Sequence, residues 1–334
     1  MRIAVIGAGS WGTTLADLLA SKAKDVVLWS WEAEVAEQIG REHRNELYLP
    51  GVELSGDLGA TSDIQQAVDG AEVVVTVCPT HVMREVLTGA AGRIGVGTVL
   101  VNASKGIECG SLKRISELVA EVLPAEKVKA YVVLSGPSFA SEVAARRPTV
   151  ITAASRDEQA ALLVQGLFST AYFRVYKHDD VVGVELGGSL KNVIAVATGM
   201  IEGAGLGTNT RAALITRGLA EIARLGAALG ASAATFSGVS GLGDLVLTCT
   251  GDLSRNRKVG LRIGHGESLE EITGGEERTV AEGIRTTESA YELARKLGVE
   301  MPIVEQVHRI LFEGQSVELA IRELMNRELK KEYE

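Results

Sequence analysis

The sequence predicts an α/β fold: a mostly parallel, doubly wound sheet over residues 1–185, followed by an all-helical domain over residues 186–334. Three observations predict it. Near-continuous apolar runs alternate with helix-like segments through the first half, as strands covered on both faces do. A glycine-rich loop joins the first run to the first helical segment. The second half is almost free of proline, the strongest helix breaker: five of the six prolines lie at or before Pro148, and the sixth is Pro302.

The strands are read in order as RIAVI (2–6), DVVLW (25–29), EVVVTV (72–77), TVLVNA (98–103), AYVVL (130–134) and TVITA (149–153), with YFRVY (172–176) weaker. SWGTTLADLLASK and KRISELVAEVL are among the helical segments between them. In the second half, residues 211–229, 279–298 and 303–314 carry apolar residues at three- and four-residue spacing. GGSLKNVIAVATGMI (187–201) reads as the start of a buried helix, and the domain boundary is placed just before it. The charged tail NRELKKEYE is expected to fray.

Composition narrows the function. The net charge of the 334 residues is -9, and neither half is basic: residues 1–188 hold 17 Lys and Arg against 23 Asp and Glu, the remainder 17 against 20. A nucleic-acid surface has no support in those numbers, and an anionic small molecule must be held by a local basic cluster or by backbone N–H groups. Cys78, Cys109 and Cys249 lie far apart without CxxC pairing, and His43, His81, His178, His265 and His308 are scattered. No metal site is expected, and the cysteine usage fits a reducing compartment. With no membrane span and no signal-peptide core expected, the protein reads as cytoplasmic.

The glycine loop is GAGSWG (7–12), in which Gly7, Gly9 and Gly12 match GxGxxG directly after a strand and at the opening of a helix. In that context the first glycine makes the turn, the second admits a pyrophosphate, and the third lets helix pack on strand. The helix N-terminus then offers N–H groups to the phosphates. Glu32, 20 residues after Gly12, closes the second strand in LWSWE. It stands where an acidic side chain grips the ribose hydroxyls of NAD, and an arginine there would favour NADP. A solvated helix start is the other reading of Glu32. Trp31 could cover the adenine or simply pack.

Lys191 is the one charge in GGSLKNVIAVATGMI. Either the ammonium sits at a helix start and snorkels to water, or it is partly desolvated and acts as an acid or base.

Further polar islands follow: NELYLPG (45–51), NASKGIE (102–108), SGPSFASE (135–142), SGLGDLVLTCT (240–250) and LSRNRKVG (253–260). With GAGSWG and GGSLKN, in this order, they resemble bacterial NAD(P)-dependent glycerol-3-phosphate dehydrogenases over almost the whole chain. The resemblance implies a Rossmann-type domain and a helical domain of the 6-phosphogluconate-dehydrogenase type. It also implies reversible reduction of dihydroxyacetone phosphate to sn-glycerol 3-phosphate with NAD or NADP, a homodimer, and a product used in glycerophospholipid synthesis. Lys191, followed by Asn192, matches the catalytic lysine, and Lys105 a second lysine shared by substrate and cofactor sites. Asp244 and Thr248 match residues beside the reacting carbonyl. Gly136 and Ser138 match substrate contacts, while Ser254, Arg255 and Asn256 match the phosphate grip. Ser10, Trp11, Trp31, Glu32, Tyr48, Ala140, Arg255, Val280 and Glu282 match positions along the cofactor. Many bacterial members carry an arginine where this chain has Trp31 and use it for NADP; here only Arg41 and Arg44 stand nearby in sequence.

The chemistry suits these residues. Ketone reduction needs a hydride on carbon and a proton on oxygen. A lysine near pKa 10.4 is a poor acid at neutral pH. Burial and a second ammonium at Lys105 depress it while Asp244 opposes them, and the first two are expected to win. For the phosphate, LSRNRK offers basic residues and Ser254 as a helix N-cap; Arg257 and Lys258 are read as a solvated basic helix start. Two other readings stay open. A ketopantoate-type or hydroxyacid reductase would want a carboxylate site in place of Arg255 and Asn256. A redox-sensing dinucleotide module would lack Lys191, Asp244 or Lys105.

Overall fold

The computed structural model describes residues 1–22, 25–274, 281–329 and 331–332. Unbroken Val, Ile and Leu runs leave a strand no face for water, so helices must cover the sheet on both sides. The first half does this in the order β1 (Ile3–Ile6), α1 (Ser10–Ala20), β2 (Val26–Trp29), α2 (Ala33–Glu42), β3 (Leu58–Thr61), α3 (Ile64–Val68), β4 (Val73–Thr76), α4 (Thr80–Ala91), β5 (Thr98–Asn102), α5 (Ile115–Val122), β6 (Val128–Ser135), α6 (Ala140–Ala144), β7 (Thr149–Ala154), α7 (Glu158–Phe168) and β8 (Phe173–His178). The strands form one sheet in the order β3-β2-β1-β4-β5-β6-β7-β8. Every pairing is parallel except that of β6 with β7. Leu15, Leu19, Val164 and Phe168 of α1 and α7 fill one face. Met83, Leu87, Leu118 and Val119 of α4 and α5 fill the other. The strands are added in one direction from β1 to β3 and in the other from β4 onward, and such a switch point between β1 and β4 opens a crevice beyond the strand ends.

β3 was not among the expected strands. Its sequence is LGAT, with only Leu58 fully buried, and it lies at the sheet edge beside β2. A short edge strand has too few covered side chains to leave an apolar signature.

The helical half runs α8 (Val181–Gly203), α9 (Thr208–Ala228), α10 (Ala233–Phe236), a π-helical turn (Val239–Gly243), α11 (Asp244–Thr250), α12 (Arg255–Gly264), α13 (Leu269–Thr273), α14 (Glu282–Leu297), α15 (Pro302–Phe312) and α16 (Val317–Met325). The helix expected to begin after Gly188 begins at Val181, so residue 185 lies inside α8. Asp180 caps it, accepting from Gly183 N at 2.8 Å. Its first turns pack on the sheet, with Val181 and Val184 against Val133 and Ala154, while Leu190, Val193 and Ile194 enter the helical core. α8 is long and apolar enough to cross a membrane, yet its apolar window is wholly buried within the protein.

Glycines set the spacing of α8 and α12. A methyl on Gly199 would lie 2.1 Å from the Arg257 carbonyl oxygen, and one on Gly260 would lie 2.0 Å from that of Val196. The two backbones therefore touch, and the start of α12 is held beside the middle of α8.

Candidate functional site

The glycine loop occupies the β1/β4 switch point. Gly7 has φ of +115°, and a Cβ there would meet the Val77 carbonyl at 3.0 Å. A Cβ on Gly12 would lie 1.8 Å from the Gly7 carbonyl oxygen, which rules out any side chain. Gly9 is different: nothing lies within 4 Å of its would-be Cβ. The outer glycines are thus required by the chain itself, and the middle one faces open space at the N-terminus of an 11-residue helix. That cradle fits a dinucleotide pyrophosphate.

The stretch NELYLPG folds back over this loop. Buried Asn45 donates through Nδ2 to the Ala8 carbonyl at 2.9 Å and to Thr13 Oγ1 at 2.8 Å, and accepts from Tyr48 N at 3.1 Å. Sequence reasoning took Tyr48 from this stretch and missed Asn45, whose place in a polar island was the available signal. Ser10 Oγ donates to the Tyr48 carbonyl. The Tyr48 hydroxyl donates to Glu32 Oε1 at 2.6 Å, and Ser30 Oγ to Glu32 Oε2 at 3.2 Å. Glu32 is the N-cap residue of α2, and two hydroxyls fix its carboxylate. Trp31 is 76% exposed and meets Trp29 edge-on at 6.4 Å. Arg41 pairs with Glu37 on the exposed side of α2, and Arg44 is exposed. Trp11 packs against Phe173, with ring centroids 6.3 Å apart.

The second cluster joins both halves of the chain. Lys191 lies mid-way along α8, not at its start, and is only 6% exposed, so it does not snorkel to water. Its Nζ donates to Asp244 Oδ1, and to Thr248 Oγ1 at 2.8 Å. Asp244 Oδ2 accepts from Lys105 Nζ at 2.7 Å, and Lys105 also donates to the Gly136 carbonyl at 3.2 Å. The π-helical turn delivers Asp244 to the first position of α11, where Thr248 lies one turn on and donates to the Asp244 carbonyl at 2.7 Å. Gly188 makes room for the neighbours of α8: its Cβ would stand 2.6 Å from Ser135 Oγ and 3.6 Å from Lys105 Cγ.

One fully buried carboxylate therefore serves two ammoniums. Burial pulls the Lys191 ammonium down to about 8; Asp244 opposes the fall and Lys105 adds to it. A charge excess of one remains in the cluster, and the most buried cation responds by holding its proton loosely. Cys249, next in sequence to Thr248, is pushed up to about 12 by burial and stays a thiol.

The third cluster stands at the start of α12. Ser254 caps the helix, its Oγ accepting from Arg257 N at 3.2 Å. Arg255 is exposed and forms no ion pair among the described residues. Asn256 donates to Asn192 Oδ1 at 3.0 Å and accepts from Gly283 N at 2.9 Å, tying α12 to α8 and α14. Arg257 departs from the expected solvated helix start: its guanidinium holds both Glu202 oxygens at 2.9 and 2.7 Å and Asp252 at 3.1 Å. Lys258 is exposed. Glu282 opens α14, and burial lifts its carboxyl to about 7 against the pull of Arg255, Lys105 and Lys191. Val280 lies outside the described residues.

Gly136 follows β6 with φ of +153°, and a Cβ there would lie 2.8 Å from Ile151 Cα. Ser138 Oγ donates to its carbonyl at 3.1 Å. The Ala140 carbonyl accepts from Thr14 Oγ1 at 3.3 Å, fastening α6 to α1. The structure thus brings Lys105, Gly136, Lys191, Asp244 and Thr248 into one bonded network, and Ser10, Glu32 and Tyr48 into another.

Residues 2–161 match the family model described as NAD-dependent glycerol-3-phosphate dehydrogenase N-terminus, and residues 180–322 match the corresponding C-terminus model. A glycerol-3-phosphate dehydrogenase [NAD(P)+] of Geobacter sulfurreducens is 56% identical over 331 residues, covering 99% of this chain and 98% of that one. The crystal structure of glycerol-3-phosphate dehydrogenase from Coxiella burnetii is 42% identical with a TM-score of 0.92, covering 98% and 99% of the two chains. A ketopantoate reductase from Ralstonia eutropha, 14% identical with a TM-score of 0.60 and covering 98% and 100%, shares the fold alone.

Proposed function

The chain belongs to the NAD-dependent glycerol-3-phosphate dehydrogenase family, and on that premise we propose that Lys191 is the acid and base of the reaction. The reaction interconverts dihydroxyacetone phosphate and sn-glycerol 3-phosphate with NAD(P). The observation that carries the reading is the Lys191–Asp244–Lys105 cluster, in which buried Lys191 and Asp244 meet Lys105 of the loop that follows β5.

When bound, the reduced nicotinamide supplies the hydride that reaches the ketone carbon. Gly9 and the first turn of α1 would hold the pyrophosphate, and Glu32 the adenine ribose. The Lys191 ammonium gives its proton to the ketone oxygen as charge develops there. With a pKa of about 8 it is roughly nine-tenths protonated at pH 7 and still a willing donor. Lys105, bound to the other oxygen of Asp244, adds a second donor for the charge that develops on the ketone oxygen. Asp244 orients both amines, and Thr248 fixes the second contact of Lys191 Nζ. In the reverse direction the neutral Lys191 amine takes the hydroxyl proton. Arg255 and the remaining amides at the start of α12 supply the local positive field that a phosphate dianion needs on an acidic protein, and the Ser254 hydroxyl adds an O–H donor. Asn256 acts mainly by bracing that end against Asn192 and Gly283.

Glu32 also points to the cofactor. A carboxylate held by Tyr48 and Ser30 can accept from two ribose hydroxyls but repels a 2′-phosphate. NADH is therefore the preferred reductant. A homodimer, a cytoplasmic setting and use of the product in glycerophospholipid synthesis belong to the same reading and rest on the family resemblance. The three free cysteines accord with a reducing compartment.

The test is the initial rate of dihydroxyacetone phosphate reduction with NADH and, in parallel, NADPH. A preference for NADH of at least about tenfold is expected. A preference for NADPH would overturn the role given to Glu32, and no rate with either would remove the role given to Lys191.

A further inference from the structure

Glu185 is a buried carboxylate that the chemistry above does not use. It lies on α8, six residues before Lys191 and three before Gly188. Six helical residues span about 9 Å along the axis. All four groups that donate to it come from the sheet side of the molecule. Arg114 Nη1 donates to Oε2 at 2.8 Å and Ser116 Oγ to Oε2 at 2.7 Å. Ser116 N donates to Oε1 at 2.8 Å and the Tyr131 hydroxyl to Oε1 at 2.6 Å. Burial and the facing carboxylate push the Tyr131 phenol well above its usual range, so it remains a donor.

The partners are placed where they matter. Arg114 and Ser116 stand where the loop carrying Lys105 enters α5, and Tyr131 is on β6, which ends one residue before Gly136. Gly136 in turn accepts from Lys105. The two segments that supply Lys105 and its carbonyl partner are therefore both fastened, through one carboxylate, to the helix that supplies Lys191. Burying an ion pair contributes little stability compared with apolar packing of the same volume, and its best-attested use is to fix register. Here the register is that between the crevice of the sheet, where the hydride arrives, and α8, where the proton waits.

We propose that Glu185 is a positioning residue that holds the Lys191 helix in register with the Lys105 loop and β6 for the transfer step. The proposal rests on the assignment of Lys191 as proton donor. The test is single-turnover oxidation of NADH by saturating dihydroxyacetone phosphate, followed by absorbance, in Glu185→Gln, Tyr131→Phe and Lys191→Ala. Misplacement by a fraction of an ångström costs on the order of tenfold in such a step. Glu185→Gln should lower the rate constant about tenfold, and Tyr131→Phe, which removes one of the four bonds, about threefold. KM values for both substrates should stay within about twofold. A merely structural role would reduce the amplitude, as less protein is folded, but leave the rate constant of the folded fraction unchanged. A wild-type rate constant in folded Tyr131→Phe and in any folded Glu185→Gln would overturn the proposal. Lys191→Ala separates the two claims: full turnover there removes the proton donor, whereas a dead Lys191→Ala beside a normal Glu185→Gln removes only the positioning role.

Discussion

Replacing Asp244 by Asn tests the electrostatics of the cluster without changing its shape. In the wild type, dihydroxyacetone phosphate reduction requires the Lys191 ammonium, so kcat/KM should fall as pH rises through about 8. Oxidation of glycerol 3-phosphate needs the neutral amine and should rise through the same pH. Asp244 is the influence that holds the Lys191 pKa up, while burial and Lys105 hold it down. An opposite charge in contact is worth about 1–3 pKa units. Without it the limb should move from about 8 to roughly 5–7. With the limb at about 6, only about one-tenth of the enzyme holds the proton at pH 7, and reduction falls about tenfold for that reason alone. Lost orientation adds to the deficit, but orientation does not move the limb. The assay is kcat/KM for reduction from pH 5 to 9.5 at saturating NADH. A limb that stays near 8 in Asp244→Asn, or moves up, would refute the assignment of the titrating group to Lys191.

Two further predictions come from steric and buried groups. Gly9→Ala should raise KM for NADH with little change in Tm, because its methyl enters open space at the cradle, whereas Gly12→Ala should fail to fold, because its methyl would lie 1.8 Å from the Gly7 carbonyl oxygen; thermal melts and NADH titration distinguish them. Glu221, buried in α9, accepts from Ile303 N at 2.7 Å and Val304 N at 3.2 Å at the start of α15, and burial lifts its carboxyl from 4.5 to about 7. The folded state then binds a proton more tightly than the unfolded chain, so this group's stabilisation is complete below about 4.5 and is lost as pH rises toward 7. Glu221→Gln should remove that slope, gaining on the order of 3 kcal/mol relative to wild type between those pH values in denaturant titrations; an unchanged difference would count against a raised Glu221.

What could be read in the sequence follows the range of each interaction. The apolar strands were legible because burial on two faces is written in every residue of VVVT or TVLVN. The edge strand LGAT was not, since one covered side chain suffices for it. The first turns of α8, VVGVEL, hold β-branched residues and a glycine that lower helix propensity. They are helical because Val181 and Val184 pack on the sheet and Asp180 caps the end, and the aspartate before that run was the signal passed over. The lone charge of Lys191 was visible locally, but its partner is 53 residues away, so only the fold could show one carboxylate shared by two lysines. Arg257 was misread for the same reason: Glu202, its partner, lies 55 residues earlier at the end of α8. Glu185 gave no local sign of its role, because all of its partners sit more than 50 residues upstream.

The central claim is that Lys191 carries the proton, and one comparison tests it most directly. NADH affinity and the rate of dihydroxyacetone phosphate reduction are measured on folded Lys191→Ala and on the wild type. The account predicts an unchanged NADH dissociation constant, since the cradle of Gly9 and Glu32 is built on other elements, and a loss of about 10²–10⁴ in rate. Reduction at a rate within about tenfold of wild type would contradict it.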